Sequence, residues 1–133
     1  MKEVDKIALI HLKDGKILST RTKGREKFYI PGGKREHSES DEETLVREIS
    51  EELSVNIDPS TISYFGTFKA QSDGAAKGVM VKMTCYTANF TGDIAPANEI
   101  AEIRWLTLRD RSIISAVDQK IFNHLEEQGL LYL

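Results

Sequence analysis

Three glutamates, Glu48, Glu51 and Glu52, fall within one short stretch of the chain, separated by steps of three and four residues. On a helix those steps gather the three carboxylates on one face. Like charges so placed destabilise a helix by roughly 0.2–0.5 kcal/mol per pair. A cluster that opposes its own helix points to a use elsewhere, and the chemistry it suits is a divalent cation. Magnesium takes oxygen ligands and commonly binds through a few carboxylates together with substrate phosphates. Upstream, Gly32 and Gly33 lack Cβ atoms and let the backbone approach a ligand closely. A basic cluster flanks the glycines: Arg21, Lys23, Arg25, Lys27, Lys34 and Arg35, with Glu26 the only acidic residue among positions 21 to 35. Such a local excess can grip phosphates and steer an anionic substrate.

The elements that must position these groups are legible from periodicity. Ser40 to Leu53 reads as a helix. Ser40 with Glu43 makes a capping box, Asp41 and Glu42 occupy the first turn, and Leu45, Val46, Ile49 and Leu53 recur at helical steps as a buried stripe. Glu43 and Arg47 are spaced for a favourable i, i+4 pair. Val4 to Leu12 reads as a strand returning through Asp14-Gly15 into Lys16 to Arg21, since Asp-Gly between apolar runs signals a hairpin. Residues 22 to 29 read as a loop, and Pro31-Gly32-Gly33 as a turn of special geometry. Asn56 to Pro59 is a break. Ile62 to Ala70 and Val79 to Phe90 read as strands joined by the polar loop QSDGAAKG, Thr91 to Asn98 as a loop, and Glu102 to Leu106 as a short strand. Ser115 to Gln128 is a second helix, with Val117, Ile121 and Leu125 at steps of four and Gly129 just past its end. The order implies a mixed sheet covered on both sides.

From Gly33 to Val55 the segment GKREHSESDEETLVREISEELSV resembles the Nudix box, G-x5-E-x7-R-E-U-x-E-E-x-G-U, where U is a bulky aliphatic residue. Gly33, Glu39, Arg47, Glu48, Ile49, Glu51, Glu52 and Val55 fall on pattern; Ser54 stands in place of the last glycine. The resemblance implies an α/β fold, the Nudix (MutT-like) α/β/α sandwich with a mixed β-sheet, and a single Nudix hydrolase domain over residues 1–133 with its box at 33–55. It also implies a metal site of the Gly32 carbonyl, Glu48, Glu51, Glu52 and Glu99, taking Mg2+ with Mn2+ as the alternative. Glu39 matches an auxiliary acidic position, and Arg47 the arginine that orients a catalytic glutamate, a task suited to a planar guanidinium. For the general base two positions are open. Glu48 is one; the other lies on EIAEIRWL, where Glu99, six residues before Trp105, is preferred to Glu102. For phosphate contacts Arg21 is the first choice, with Lys23 and Lys34 beside it, and Tyr29 is the aromatic placed nearest a nucleobase.

Other residues read as structural. Phe65, Phe68, Tyr86, Phe90 and Trp105 read as core, His11 and His124 as structural or surface, and His37 as a variable box position. Cys85 has no partner motif. At 133 residues with a formal charge of −3, the chain is one domain without the basic surplus of a nucleic-acid binder. The first residues lack a signal-peptide core, no apolar run reaches membrane-span length, and a lone cysteine fits a reducing cytosol, so a cytoplasmic location is expected.

Substrate class is signalled outside the box. The ADP-ribose proline and the dinucleoside-polyphosphate tyrosine are both missing from Lys69 to Asp73, and the upstream coenzyme A signature is missing too. By elimination the resemblance implies a MutT-type enzyme that cuts a nucleoside triphosphate to monophosphate and pyrophosphate. The alternatives are another diphosphate, such as ADP-ribose or a nucleotide sugar, and a non-catalytic nucleotide-binding domain. The expected partner is a small nucleotide or diphosphate, the oligomer a monomer or homodimer.

Overall fold

The computed structural model describes residues 2–72 and 78–133. Strands are β1 (Lys2–Leu9), β2 (Leu12–Lys13), β3 (Lys16–Thr22), β4 (Gly32–Lys34), β5 (Asn56–Ile57), β6 (Ser63–Gln71), β7 (Val79–Thr87), β8 (Phe90–Thr91) and β9 (Ile100–Leu106); the α-helices are α1 (Asp41–Leu53) and α2 (Ala116–Glu127). Among the described residues β4-β1-β7-β6 form one sheet, β2-β3-β9 a second and β5-β8 a short pair. The first sheet is mixed, since β1 runs parallel to β7 but antiparallel to β4.

Strand alternation explains the layers. Ile7 and Leu9 point to one side of β1, where they meet Leu45, Ile49 and Leu53 of α1. Ala8 points to the other side, into a cluster with Val81, Met83 and Cys85 of β7 and with Val117, Ile121, Phe122 and Leu125 of α2. Two helices on opposite faces of a mixed sheet make the expected α/β/α sandwich.

The helix α1 begins as its sequence requires. Ser40 Oγ accepts the Glu43 N–H at 3.1 Å, and Glu43 Oε1 accepts the Ser40 N–H at 2.9 Å. Its first turn is tied to the sheet: Arg35 pairs with both Asp5 of β1 and Asp41, and the Tyr86 hydroxyl donates to Asp41. At the other end Ser54 sits in the left-handed region at φ 63°. A serine there is strained relative to glycine, so Ser54→Gly should raise the unfolding free energy by about 1 kcal/mol. Urea melts measure this, with the catalytic rate unchanged.

Several expectations are corrected. The Gly32–Gly33 segment is a short strand rather than a turn, with Gly32 opposite Ala8 and Gly33 opposite Ile7. Gly32 has φ 147°, and a Cβ on it would run into the Ile7 carbonyl and stand 2.7 Å from the Ala8 Cα. The Asp14-Gly15 hairpin exists, with both residues at positive φ, but its first arm is only Leu12–Lys13. The chain leaves the first sheet at Ile10, and β3 pairs onward with β9 instead of with β1. Asn56–Ile57 pairs with Phe90–Thr91 where a break was expected. Glu43 does not pair with Arg47, because its carboxylate is held in the cap. Residues 73–77 of the QSDGAAKG loop, and with them Asp73 of the substrate-signature region, lie outside the described residues.

Candidate active site

The geometry starts from β4 facing α1. The Gly32 N–H donates to Glu52 Oε1 at 3.0 Å. Gly33 lies against Glu48, and a Cβ there would fall within 2.5 Å of both carboxylate oxygens. The glycine pair therefore lets two helix carboxylates reach the strand backbone. Gly33→Ala displaces a side chain rather than backbone, so it should leave the fold intact and lower kcat/KM by about tenfold to a hundredfold. Steady-state kinetics beside a thermal melt separate the two effects.

Arg47 organises the carboxylates. Its Nε and Nη2 donate to the two Glu39 oxygens at 2.7 and 2.9 Å, and its Nη1 to Glu48 Oε1 at 3.0 Å. It also reaches Glu51 at 3.3 Å and the Lys34 carbonyl at 3.1 Å. One guanidinium thus ties the strand, the following loop and the helix together. The same bonds set the charge state of the site. The Arg47 guanidinium, followed by the Glu36 N–H, holds the Glu39 carboxyl down to about 2. Burial raises Glu48 against the pull of Arg47, with the charges of Glu51 and Glu99 adding to the rise. Burial pushes Glu52 up to about 8, the Gly32 N–H opposing and the charges of Glu48 and Glu99 reinforcing.

Glu99 is exposed at the end of a loop hung on the C-terminal turn of α1. The Ala97 N–H donates to the Glu52 carbonyl at 3.2 Å, and Asn98 Nδ2 to the Glu51 carbonyl at 2.7 Å. Those bonds bring Glu99 near enough for its charge to act on Glu48 and Glu52. Glu102 is tied instead to Arg21 at 3.2 Å and Arg104 at 2.7 Å.

Beside the glutamates lies a cleft of about 540 Å³ lined by Lys6, Arg25, Tyr29, Gly33, Lys34 and Glu52, among others. Lys34 and Tyr29, expected at phosphate and nucleobase, both line it. Arg21 and Lys23 do not line it: Arg21 is directed across the sheet to Glu102, its register partner. The sequence reading missed Lys6, whose ammonium lies 5.9 Å from the Tyr29 ring centre. Burial lowers its pKa; Asp118 and Glu52 counter this, while Lys34 and Arg25 add to it. A strand lysine beside apolar neighbours carries no motif, and only the β1–β4 register shows where it points. Asn98 was missed for the same reason, its role being a contact across 47 residues.

The residues fit a cation in part. Among the described residues no three Asp, Glu, His or Cys side chains form a ready cage. Glu48 and Glu52 gather at β4, whereas Glu51 is exposed beside Arg47 and Glu99 is exposed on its loop. A buried carboxylate raised by like charges is nevertheless the kind of group that a cation relieves. The aromatic and histidine readings hold in substance: His11 packs on Phe90 and Trp105, and His124 on Phe65 and Phe68. Cys85 is fully buried.

Two helix carboxylates thus face a glycine-bearing strand of an α/β/α sandwich. The chain belongs to the Nudix family: the family model of the NUDIX domain matches residues 2–124. It is a Nudix pyrophosphohydrolase. The fold is similar to the solution structure of the E. coli ORF135 protein, with 24% identity, TM-score 0.73, and coverage of 96% of this chain and 91% of that one. It is similar to a NUDIX hydrolase from Nitrosomonas europaea, with 19% identity, TM-score 0.73, and 98% and 93% coverage. It is similar too to a MutT protein from Methanosarcina mazei Go1, with 18% identity, TM-score 0.72, and 96% coverage of both chains. No curated protein matches the chain. Nudix hydrolases generally use divalent metals and act on small nucleotide substrates. No helix among the described residues is long and apolar enough to cross a membrane.

Proposed function

We propose that residues 1–133 are one Nudix domain that cuts a nucleoside triphosphate, ribo or deoxy, to a nucleoside monophosphate and pyrophosphate with Mg2+, which Mn2+ can replace. The observation that carries this reading is the buried Glu52 carboxylate on the Gly32 N–H, with Glu48 packed against Gly33 beside it. The Gly32 carbonyl, Glu48 and Glu52 would hold the cation, with Glu51 and Glu99 at the rim. When bound, it neutralises phosphate oxygens and lowers the pKa of a coordinated water.

The chain's own groups do the rest. Arg47 fixes the Glu48 carboxylate through the 3.0 Å bond. Glu99, anchored through Ala97 and Asn98, accepts the proton of the attacking water, a role that needs a carboxylate on an exposed tether. Water forms a new bond to phosphorus as the bridging P–O bond breaks. Tyr29 offers a flat face to the nucleoside, and Lys34 a donor to phosphate. A substrate panel with Mg2+, covering all common and oxidised nucleoside triphosphates, ADP-ribose and nucleotide sugars, tests the reading. Release of pyrophosphate from a triphosphate at the highest kcat/KM is expected; a preference for ADP-ribose or a sugar nucleotide overturns the substrate assignment.

A further inference from the structure

Side chains alternate along β1, so Lys6 shares the cleft face with Ala8 while Ile7 faces α1. In the antiparallel β1–β4 pair, Lys6 stands directly opposite Lys34. Directly opposed residues project to one face, and like charges there repel. Arg25, on the loop after β3, adds a third positive charge that acts on Lys6. All three line the same cleft, beside the glycine pair. Such convergence makes a local positive field in an acidic protein, into which an anion can enter. Two carboxylates also act on Lys6. Asp118 lies on the α2 side, where it accepts the Ile30 N–H at 3.0 Å. Glu52 lies on the glycine side, and in the function proposed above its charge is taken up by the cation.

We infer that Lys6, Lys34 and Arg25 form an anion subsite on the cleft floor, with Lys6 as the central donor, for a phosphate of the substrate that the cation does not hold. The subsite rests on the proposed function for its occupant. Its position fits a diphosphate that runs from the glycine pair along β1, with the remainder of the substrate against Tyr29, whose ring is 5.9 Å from the Lys6 ammonium. A lysine offers three donors on a flexible stem and suits a phosphate whose orientation is set elsewhere. Lys6 is then a positioning and affinity residue, separate from the groups that move protons.

Calorimetric titration of inorganic pyrophosphate, with and without Mn2+, tests this in the wild type and in Lys6→Met, Lys6→Arg and Arg25→Gln. Arg25 is exposed, so its variant folds whatever happens at Lys6. Lys6→Met should weaken pyrophosphate binding by roughly tenfold or more and Arg25→Gln by roughly threefold, while Lys6→Arg returns to within about threefold of wild type. Mn2+ affinity should be unchanged in Lys6→Arg and Arg25→Gln, which leave the charge beside Glu52 in place. Under turnover Lys6→Met should raise KM more than it lowers kcat. Pyrophosphate binding equal in wild type and Lys6→Met, or absent from the wild type, overturns the subsite. Failure of the functional reading shows separately, as Mn2+ binding equally well to wild type and Glu52→Gln.

Discussion

Glu52→Gln should abolish turnover and at the same time make the metal-free protein more stable. Glutamine keeps an oxygen for the Gly32 N–H, now 3.0 Å from Glu52. It removes a buried carboxylate whose pKa is pushed up to about 8, mainly by burial. A carboxyl raised in the folded state is neutral in both states below its ordinary value, so its burden on the fold is absent near pH 4 and grows as pH rises through about 8. Relief above pH 8 should be on the order of 2–3 kcal/mol, several degrees in Tm. Added Mg2+ should raise the wild-type Tm and leave that of the variant unmoved. Activity should drop on the order of a thousandfold if Glu52 holds the cation as proposed. Scanning calorimetry at pH 5 and pH 9, with and without Mg2+, measures all of this. A variant no more stable than wild type at pH 9 without metal means that the buried charge is not a burden.

Arg47→Lys should be nearly as harmful as Arg47→Met. The guanidinium holds Glu39 with two parallel bonds of 2.7 and 2.9 Å while reaching Glu48 at 3.0 Å. An ammonium cannot span those directions. Loss of the charge-assisted bonds should destabilise the protein, and release of Glu48 should lower kcat by roughly a hundredfold. The acid limb carries a signature. Arg47 holds Glu39 at about 2 in the folded state. The pair therefore stabilises the protein above the ordinary carboxylate pKa, and that contribution is lost as pH falls from there through about 2. Without Arg47 the acid-unfolding midpoint should move to higher pH, as tryptophan fluorescence would follow from pH 6 to pH 2. An Arg47→Lys enzyme with wild-type kcat and an unmoved acid midpoint is the result that refutes the assignment.

Local signals in the chain were dependable where a cap and a buried stripe agreed on one element. The Ser40 and Glu43 box, the Leu45, Ile49 and Leu53 stripe and the Ser115-capped second helix each depend on neighbours one turn away. The strand at Gly32 was misread because two glycines satisfy a turn equally well; only the approach of the Ile7 backbone explains why they are extended. Arg47 was assigned to Glu43 by spacing, yet the cap had already engaged that carboxylate. Arg21 was placed at the phosphates by strand order, but the register of β3 on β9 sets it across from Glu102. Glu48 and Glu52, gathered on one face by their helical spacing, do meet at β4. The loop that brings Glu99 to them, and the lysine beneath the cleft, depend on contacts between distant segments that periodicity does not encode.

Because Ile7 and Leu9 support α1 while Lys6 and Ala8 face the cleft, β1 couples two tasks through one alternation of side chains. A single inserted or deleted residue inside it would exchange the two sets at one stroke, sinking a lysine into oil and baring an isoleucine to the cleft. Changes in length should therefore be tolerated in the hairpin beyond Ile10 and not inside β1.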